Sequence, residues 1–247
     1  MSHAATAQAS ETISLPTGKL TLTVHDGPPL RDLCDFAARS NPKRGFLIVS
    51  KILGRHLPAA PAQMRASMAT LAAKIAADLP QPVVFLGMAE TATALGQGIF
   101  AAFRHLHPQV EALYLQSSRQ RVEGARVLAS FEEGHSHATT HLVQVADPGL
   151  EDLVRSARSL VIVDDECSTG NTFIAAAKAL AGEMPALSRI ETCCITDWGN
   201  GAYLNAMPHP TQARAILSGA MTWQAGAAAA APVLAAASNQ AGAAPAG

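Results

Sequence analysis

Apolar and polar residues alternate with period two over "TISLPTGKLTLTVHD", residues 12–26, on both sides of a Pro-Thr-Gly break, and this pattern predicts a β-hairpin. A short helix is predicted over "LRDLCDFAAR", residues 30–39. In "SNPKRGFLIVSKILGRHLP", residues 40–58, an apolar run carries Lys43, Arg44, Lys51 and Arg55 near its two ends, which reads as a strand flanked by basic groups. Residues 61–79 place Met64, Met68, Leu71, Ile75 and Leu79 at helical spacing between prolines, predicting an amphipathic helix whose Met stripe lies in the core.

From Pro82 the pattern becomes regular. The segments "VVFLG", "EALYLQS", "HLVQV", "SLVIVDD" and "RIETCCITD" read as strands, and "TATALGQGIFAAFRHL", "LEDLVRSAR" and "GNTFIAAAKALAG" read as helices between them. Apolar strands alternating with helices predict an α/β fold, a mostly parallel sheet with helices on both faces and right-handed crossovers. Ligands of such sheets bind beyond the carboxyl ends of the strands. The chain divides into a leader (residues 1–11), a small N-terminal hood (12–60), a core (61–217) and an Ala-rich low-complexity tail (218–247). Leader and tail are expected to be disordered.

Hydrophobic residues make up 49% of the chain and charged residues 15%, with a formal net charge of -1 and no apolar run long enough to span a bilayer. Nucleic acid and anionic lipid both demand a basic footprint, so neither is expected as a partner, and a small polar substrate fits better. The four cysteines, Cys34, Cys167, Cys193 and Cys194, lack zinc-site spacing. With no secretory pattern at the N-terminus, a reducing cytoplasm is the expected setting.

The chemistry concentrates in "LVIVDDECSTGNTF", residues 160–173, where a strand ends on Asp164 and Asp165 and passes through a small-residue turn into a helix. Buried carboxylates without partners are costly, so these two must face something outside the core. Ser168, Thr169, Gly170, Asn171 and Thr172 would form the turn and first helical residues, where free N–H groups and the positive dipole end suit a phosphate. Adjacent carboxylates suit vicinal hydroxyls, and phosphate plus vicinal diol describes a ribose 5-phosphate. No Lys follows the glycine, so this is not a Walker A loop. A capped helix with surface aspartates, or a metal-binding Asp pair, are the alternatives.

This segment resembles the phosphoribosyl pyrophosphate (PRPP) motif of type I phosphoribosyltransferases. Together with "NPKRGFLIVSKILGRHLP", "GMAETATALGQG" and "FEEGHSHATTHL" it looks like the orotate-phosphoribosyltransferase-like branch encoded beside tellurium-resistance genes, over residues 39–198. The resemblance implies nucleotide metabolism: transfer of ribose 5-phosphate from PRPP, with Mg²⁺, to a nitrogenous acceptor with loss of pyrophosphate, in making a nucleoside-like metabolite. Many members carry a further C-terminal domain, for which the Ala-rich end leaves little room. A homodimer is compatible with it, and a non-catalytic PRPP-binding regulator on the same fold is the competing function.

The resemblance also implies residue roles. PRPP contacts fall on Asp164, Asp165, Glu166, Ser168, Thr169, Gly170, Asn171 and Thr172. Pyrophosphate contacts fall on the loop Ala89, Glu90, Thr91 and Ala92 and on Arg119 and Arg121, with Asp164, Asp165 and Arg119 carrying the catalysis. Glu90 is the odd member, because a carboxylate beside pyrophosphate needs Mg²⁺ or a basic neighbour; a helix-capping turn is its plain alternative. Solvated surface positions are the alternative for either Arg. The insert "VEGARVLASFEEGHSHATT" stands where the family has a flap, bringing Glu132, Glu133, His135 and His137 over the reacting centre. His135, His137 and His141 lack a fourth ligand, so no metal site is expected there. Acceptor contacts fall on Lys43, Arg44 and Lys51 of the hood and on Asp197 and Trp198; Trp198 either stacks on the acceptor or fills the core. Ser168 stands where purine-specific members have an acidic base, which together with the basic hood favours an anionic acceptor.

Overall fold

The computed structural model describes residues 9–41, 44–132 and 140–226. Among these, the strands are β1 (Ala9–Leu15), β2 (Gly18–Asp26), β3 (Cys34–Ala38), β4 (Phe46–Ser50), β5 (Val83–Gly87), β6 (Ala112–Ser118), β7 (Arg126–Glu132), β8 (Thr140–Val145), β9 (Ser159–Val163), β10 (Glu166–Cys167), β11 (Arg189–Asp197) and β12 (Thr211–Ala225). The helices are α1 (Leu30–Leu33), α2 (Pro61–Lys74), α3 (Thr93–Leu106), α4 (Pro148–Ser156) and α5 (Asn171–Ala181). A ten-stranded sheet runs in the order β1-β2-β12-β11-β9-β5-β6-β8-β7, with β10 added against β11, and β3-β4 form a separate pair.

Its centre, β12-β11-β9-β5-β6, is parallel, and the flanking strands are antiparallel. The predicted mostly parallel α/β sheet is thus observed, with the N-terminal hairpin and β3-β4 forming a small hood. Every residue of β5 and β9 is buried. Strands covered on both faces carry unbroken apolar runs, which is why "VVFLG" and "SLVIV" lack alternation. Gly87 and Gly96 let α3 approach β5 closely, because a Cβ on Gly96 would lie 3.0 Å from the Gly87 Cα. Since the central strands are parallel, the loops after Gly87, Ser118, Val163 and Asp197 leave the same edge of the sheet.

Four details differ from the sequence pattern. The helix predicted over residues 30–39 is one turn, after which Cys34–Ala38 pairs with the apolar β4; strand pairing outweighs local helix propensity. Among its described residues, the insert after Arg121 forms a strand: β7 pairs with β8, and Phe131 is buried against it. Of the predicted helical stripe, Leu71, Ile75 and Leu79 are buried while Met64 and Met68 are half-buried, and α2 ends at Lys74. Finally, ordered structure begins before residue 12 and persists past 217. β1 starts at Ala9, and residues 219–225 of β12 pair with β2, with Trp223 against Phe46 at 5.1 Å. The Ala, Gly and Ser of "LSGAMTWQA" resemble low complexity but lie in a ladder where backbone bonds and one aromatic suffice.

Candidate functional site

The loop after β9 is held from below by backbone. Asp164 N–H donates to the Cys193 carbonyl at 3.0 Å, and the Asp165 carbonyl accepts the Ile195 N–H at 3.0 Å. The Asp164 carboxylate accepts the Asp165 N–H at 2.9 Å, so the two acids are fixed relative to each other. Gly170 caps α5 with φ 78°, and a Cβ there would sit 2.2 Å from the Tyr203 ring. Tyr203 is itself anchored: its hydroxyl donates to Asp197 Oδ2 at 3.1 Å, and the Thr192 hydroxyl donates to it at 2.8 Å. Asp164, Glu166, Cys167 and residues 168–173 line a hollow around the α5 N-terminus. The segment singled out in the sequence thus forms one concave surface that includes the Asp164 and Glu166 carboxylates.

A second loop meets it. After β5, the Met88 N–H donates to the Val163 carbonyl at 2.9 Å, tying the two strand ends together. The Ala89–Glu90 peptide is cis. Thr91 Oγ1 donates to Asp165 Oδ1 at 2.9 Å, joining the 89–92 loop to the acidic pair. Ala89 N–H donates to Ser117 Oγ at 2.8 Å and Ala92 N–H to the Met88 carbonyl at 3.1 Å. These two amides therefore point into the protein, which leaves those of Glu90 and Thr91 as the loop's candidates to meet an anion. Glu90 has a basic neighbour, Arg55, at 3.8 Å. Arg119 and Arg121 follow β6 on the exposed surface at the same edge of the sheet.

On the hood side, Arg44 Nη2 lies 2.6 Å from Glu166 Oε1, and its guanidinium lies over the Phe46 ring at 4.8 Å. Burial pushes the Glu166 carboxyl up to about 7, with Arg44 opposing the shift and Asp165 adding to it. Lys51 Nζ donates to the Arg31 carbonyl at 2.8 Å. Of the basic hood, then, Arg44 is already matched by a carboxylate, and Lys43 lies outside the described residues. Trp198 is 3% exposed, so it fills the core and does not offer a stacking face; its Nε1 has no hydrogen-bond partner among the described residues. Asp197 is buried, with Oδ1 accepting the Gly199 N–H at 2.8 Å and Oδ2 accepting Tyr203, and so supports the loop.

Glu132 is exposed at the end of β7, while Glu133, His135 and His137 lie outside the described residues. His141 is buried in β8, stacked on Phe131 with centroids 5.1 Å apart, and its Nδ1 is 3.1 Å from Ser117 Oγ. No group of three or more metal-ligating side chains occurs among the described residues. Among the described residues, no helix is long and apolar enough to cross a membrane.

Sequence reasoning missed Arg55, Tyr203 and the Ser117–His141 pair as parts of this region. Only Arg55 had a signal, a basic residue following the apolar run. Tyr203 sits in a short 3₁₀ turn, and Ser117 and His141 become neighbours solely through antiparallel pairing of β6 with β8.

A sequence profile of the family described as phosphoribosyl transferase matches residues 33–219, well over half of the chain. No curated protein matches. Among solved structures, adenine phosphoribosyltransferase from Rhodothermus marinus is similar with a TM-score of 0.51 and 13% identity, over 76% of this chain and 96% of that one. The Trypanosoma brucei adenine phosphoribosyltransferase, in complex with AMP, pyrophosphate and ribose 5-phosphate, gives a TM-score of 0.50 and 12% identity over 84% of this chain and 86% of that one. At these identities the likeness shows the fold.

Proposed function

The chain belongs to the phosphoribosyl transferase family, a family of pentosyltransferase enzymes, and on that premise we propose that it transfers ribose 5-phosphate from PRPP to a nitrogenous, base-like acceptor with release of pyrophosphate. The observation that carries this reading is the Thr91–Asp165 hydrogen bond at 2.9 Å. It sets a loop suited to pyrophosphate against carboxylates suited to ribose hydroxyls, so the two halves of PRPP can be met at one place. In this reading residues 168–172 hold the 5-phosphate at the α5 N-terminus. Asp164 and Asp165 orient the ribose and stabilise positive charge developing at its ring. Arg119, with Arg121 and the 89–92 loop, receives the departing pyrophosphate, whose charge grows as the bond breaks. No covalent intermediate is needed, since positioning and charge stabilisation suffice.

Mg²⁺ would arrive with PRPP, held mainly by its phosphate oxygens and water with the Glu90 carboxylate as a bridging acceptor, and would neutralise pyrophosphate charge. Placement in the orotate-like branch encoded beside tellurium-resistance genes, and a product resembling a nucleoside, rest on the four sequence segments that resemble that branch. The acceptor's charge is less clearly marked by the hood than the sequence suggests, because Arg44 faces Glu166 at 2.6 Å. The test is calorimetric titration of the protein with PRPP and Mg²⁺, beside Asp164→Asn/Asp165→Asn, followed by pyrophosphate release with a panel of neutral and carboxylated bases. Binding that the double variant loses supports the site. No binding by the wild type, or equal binding by both, defeats it.

A further inference from the structure

Beneath the 89–92 loop lies a buried polar chain that phosphoribosyl transfer does not itself require. Ser117 is 1% exposed and His141 0%. Ser117 Oγ accepts the Ala89 N–H at 2.8 Å and stands 3.1 Å from His141 Nδ1. A hydroxyl can accept twice and donate once, so Ser117 Oγ can hold the Ala89 N–H and His141 Nδ1 together in either tautomer of the ring. The imidazole plane is set by Phe131, whose ring is stacked on it with only 4° between the planes. Three strands thus converge on one amide: β7 holds the His141 ring, β8 carries it, and β6 carries the serine.

We propose that His141 and Ser117 are positioning residues for the pyrophosphate loop. They fix the Ala89 N–H inward, and so orient the next peptide units, Glu90 and Thr91, toward the leaving group. A purely apolar filler at 117 would leave the Ala89 amide buried without a partner, and the loop would turn to satisfy it elsewhere. The fixed loop also presents Thr91 to Asp165, so the same contact lines up the two halves of the site. This proposal rests on assigning residues 89–92 to pyrophosphate.

The test measures binding of inorganic pyrophosphate and, separately, of ribose 5-phosphate to the full chain, each with Mg²⁺, for wild type, Ser117→Ala, His141→Phe and His141→Asn. Phe keeps the stacked ring and loses Nδ1; Asn keeps an acceptor near the Nδ1 position. Losing one hydrogen bond to the loop is expected to weaken pyrophosphate by about tenfold in Ser117→Ala and His141→Phe. Ribose 5-phosphate affinity should stay unchanged, and His141→Asn should recover most of the loss. Thermal unfolding, read alongside, separates general destabilisation, which would lower both affinities together. Unchanged pyrophosphate binding in both variants, equal loss of both ligands, or no recovery by Asn overturns the positioning role. A wild type that binds ribose 5-phosphate but not pyrophosphate overturns instead the loop assignment beneath it.

Discussion

Arg44 and Glu166, 122 residues apart in sequence, form an ion pair of 2.6 Å that joins the hood to the loop between β9 and α5. Both sit in the region from which an acceptor would be met, and Arg44 is further held by its contact with the Phe46 ring. The pair fixes the hood to the carboxyl edge of the sheet and puts a partnered guanidinium at that rim.

Its acid member should make stability depend on pH. Glu166 has an ordinary carboxyl value of 4.5 when unfolded and about 7 when folded, raised chiefly by burial. Between those values the folded state binds more protons than the unfolded one. Stability is therefore greatest at the acidic end, falls as pH rises through this window, and levels off above about 7. The whole contribution is at most on the order of 3 kcal/mol. Urea unfolding of wild type and Glu166→Gln at several pH values between 5 and 8 reads it, with the variant's curve flatter in that window. Parallel curves would mean that Glu166 stays ionised throughout.

Arg119 follows β6 at the site edge of the sheet. Replacing it with Ala should weaken inorganic pyrophosphate by roughly tenfold or more, the scale of one charge-assisted contact, while ribose 5-phosphate changes little. Separate titrations of the two ligands decide this. Equal loss of both would place Arg119 outside the leaving-group subsite.

How legible this was in the sequence follows from how local each feature is. The acidic pair, the small-residue turn and the α5 start were readable because strand, turn and helix are consecutive and each has its own chemistry. The parallel core was readable from unbroken apolar strands. By contrast, β3 was hidden because "CDFAA" acquires its strand character from pairing with β4. β12 was hidden because its Ala, Gly and Ser carry no propensity signal strong enough to oppose the tail reading. Trp198 had two readings that differ in burial alone, and burial is a property of the assembled fold. Arg44 was marked by its basic flank, but nothing local announced that Glu166 would be its partner.

Gly170 is where the phosphate loop has no room for a side chain. Its φ of 78° is the left-handed region, and the Cβ of an alanine would fall 2.2 Å from Tyr203, which hydrogen bonds hold in place. Gly170→Ala should lower stability by about 2–4 kcal/mol and, if residues 168–172 hold the 5-phosphate as proposed, cost ribose 5-phosphate binding disproportionately. Chemical denaturation and ribose 5-phosphate titration of the same sample provide both readings. A variant with wild-type phosphate affinity would show that the loop can bind without this conformation.

The opposite end of β11 supplies a control for all of these. Glu191 is fully buried near the strand's amino end, with Arg214 bidentate at 3.0 Å on both oxygens, Arg189 at 3.3 Å and the Ala76 N–H at 3.3 Å. Removing one member of such a cluster strands the other charge in a poorly solvated place, whereas removing both sides often costs little. Glu191→Gln should therefore lower stability by about 3 kcal/mol. Affinities for pyrophosphate and ribose 5-phosphate should be unaltered, since the proposed site lies at the strand's other end. Glu191→Leu combined with Arg214→Met should recover much of the lost stability. If Glu191→Gln instead weakened ligand binding in proportion to its destabilisation, the sheet would be transmitting strain along β11, and selective losses at Arg119 or Ser117 would have to be judged against that background.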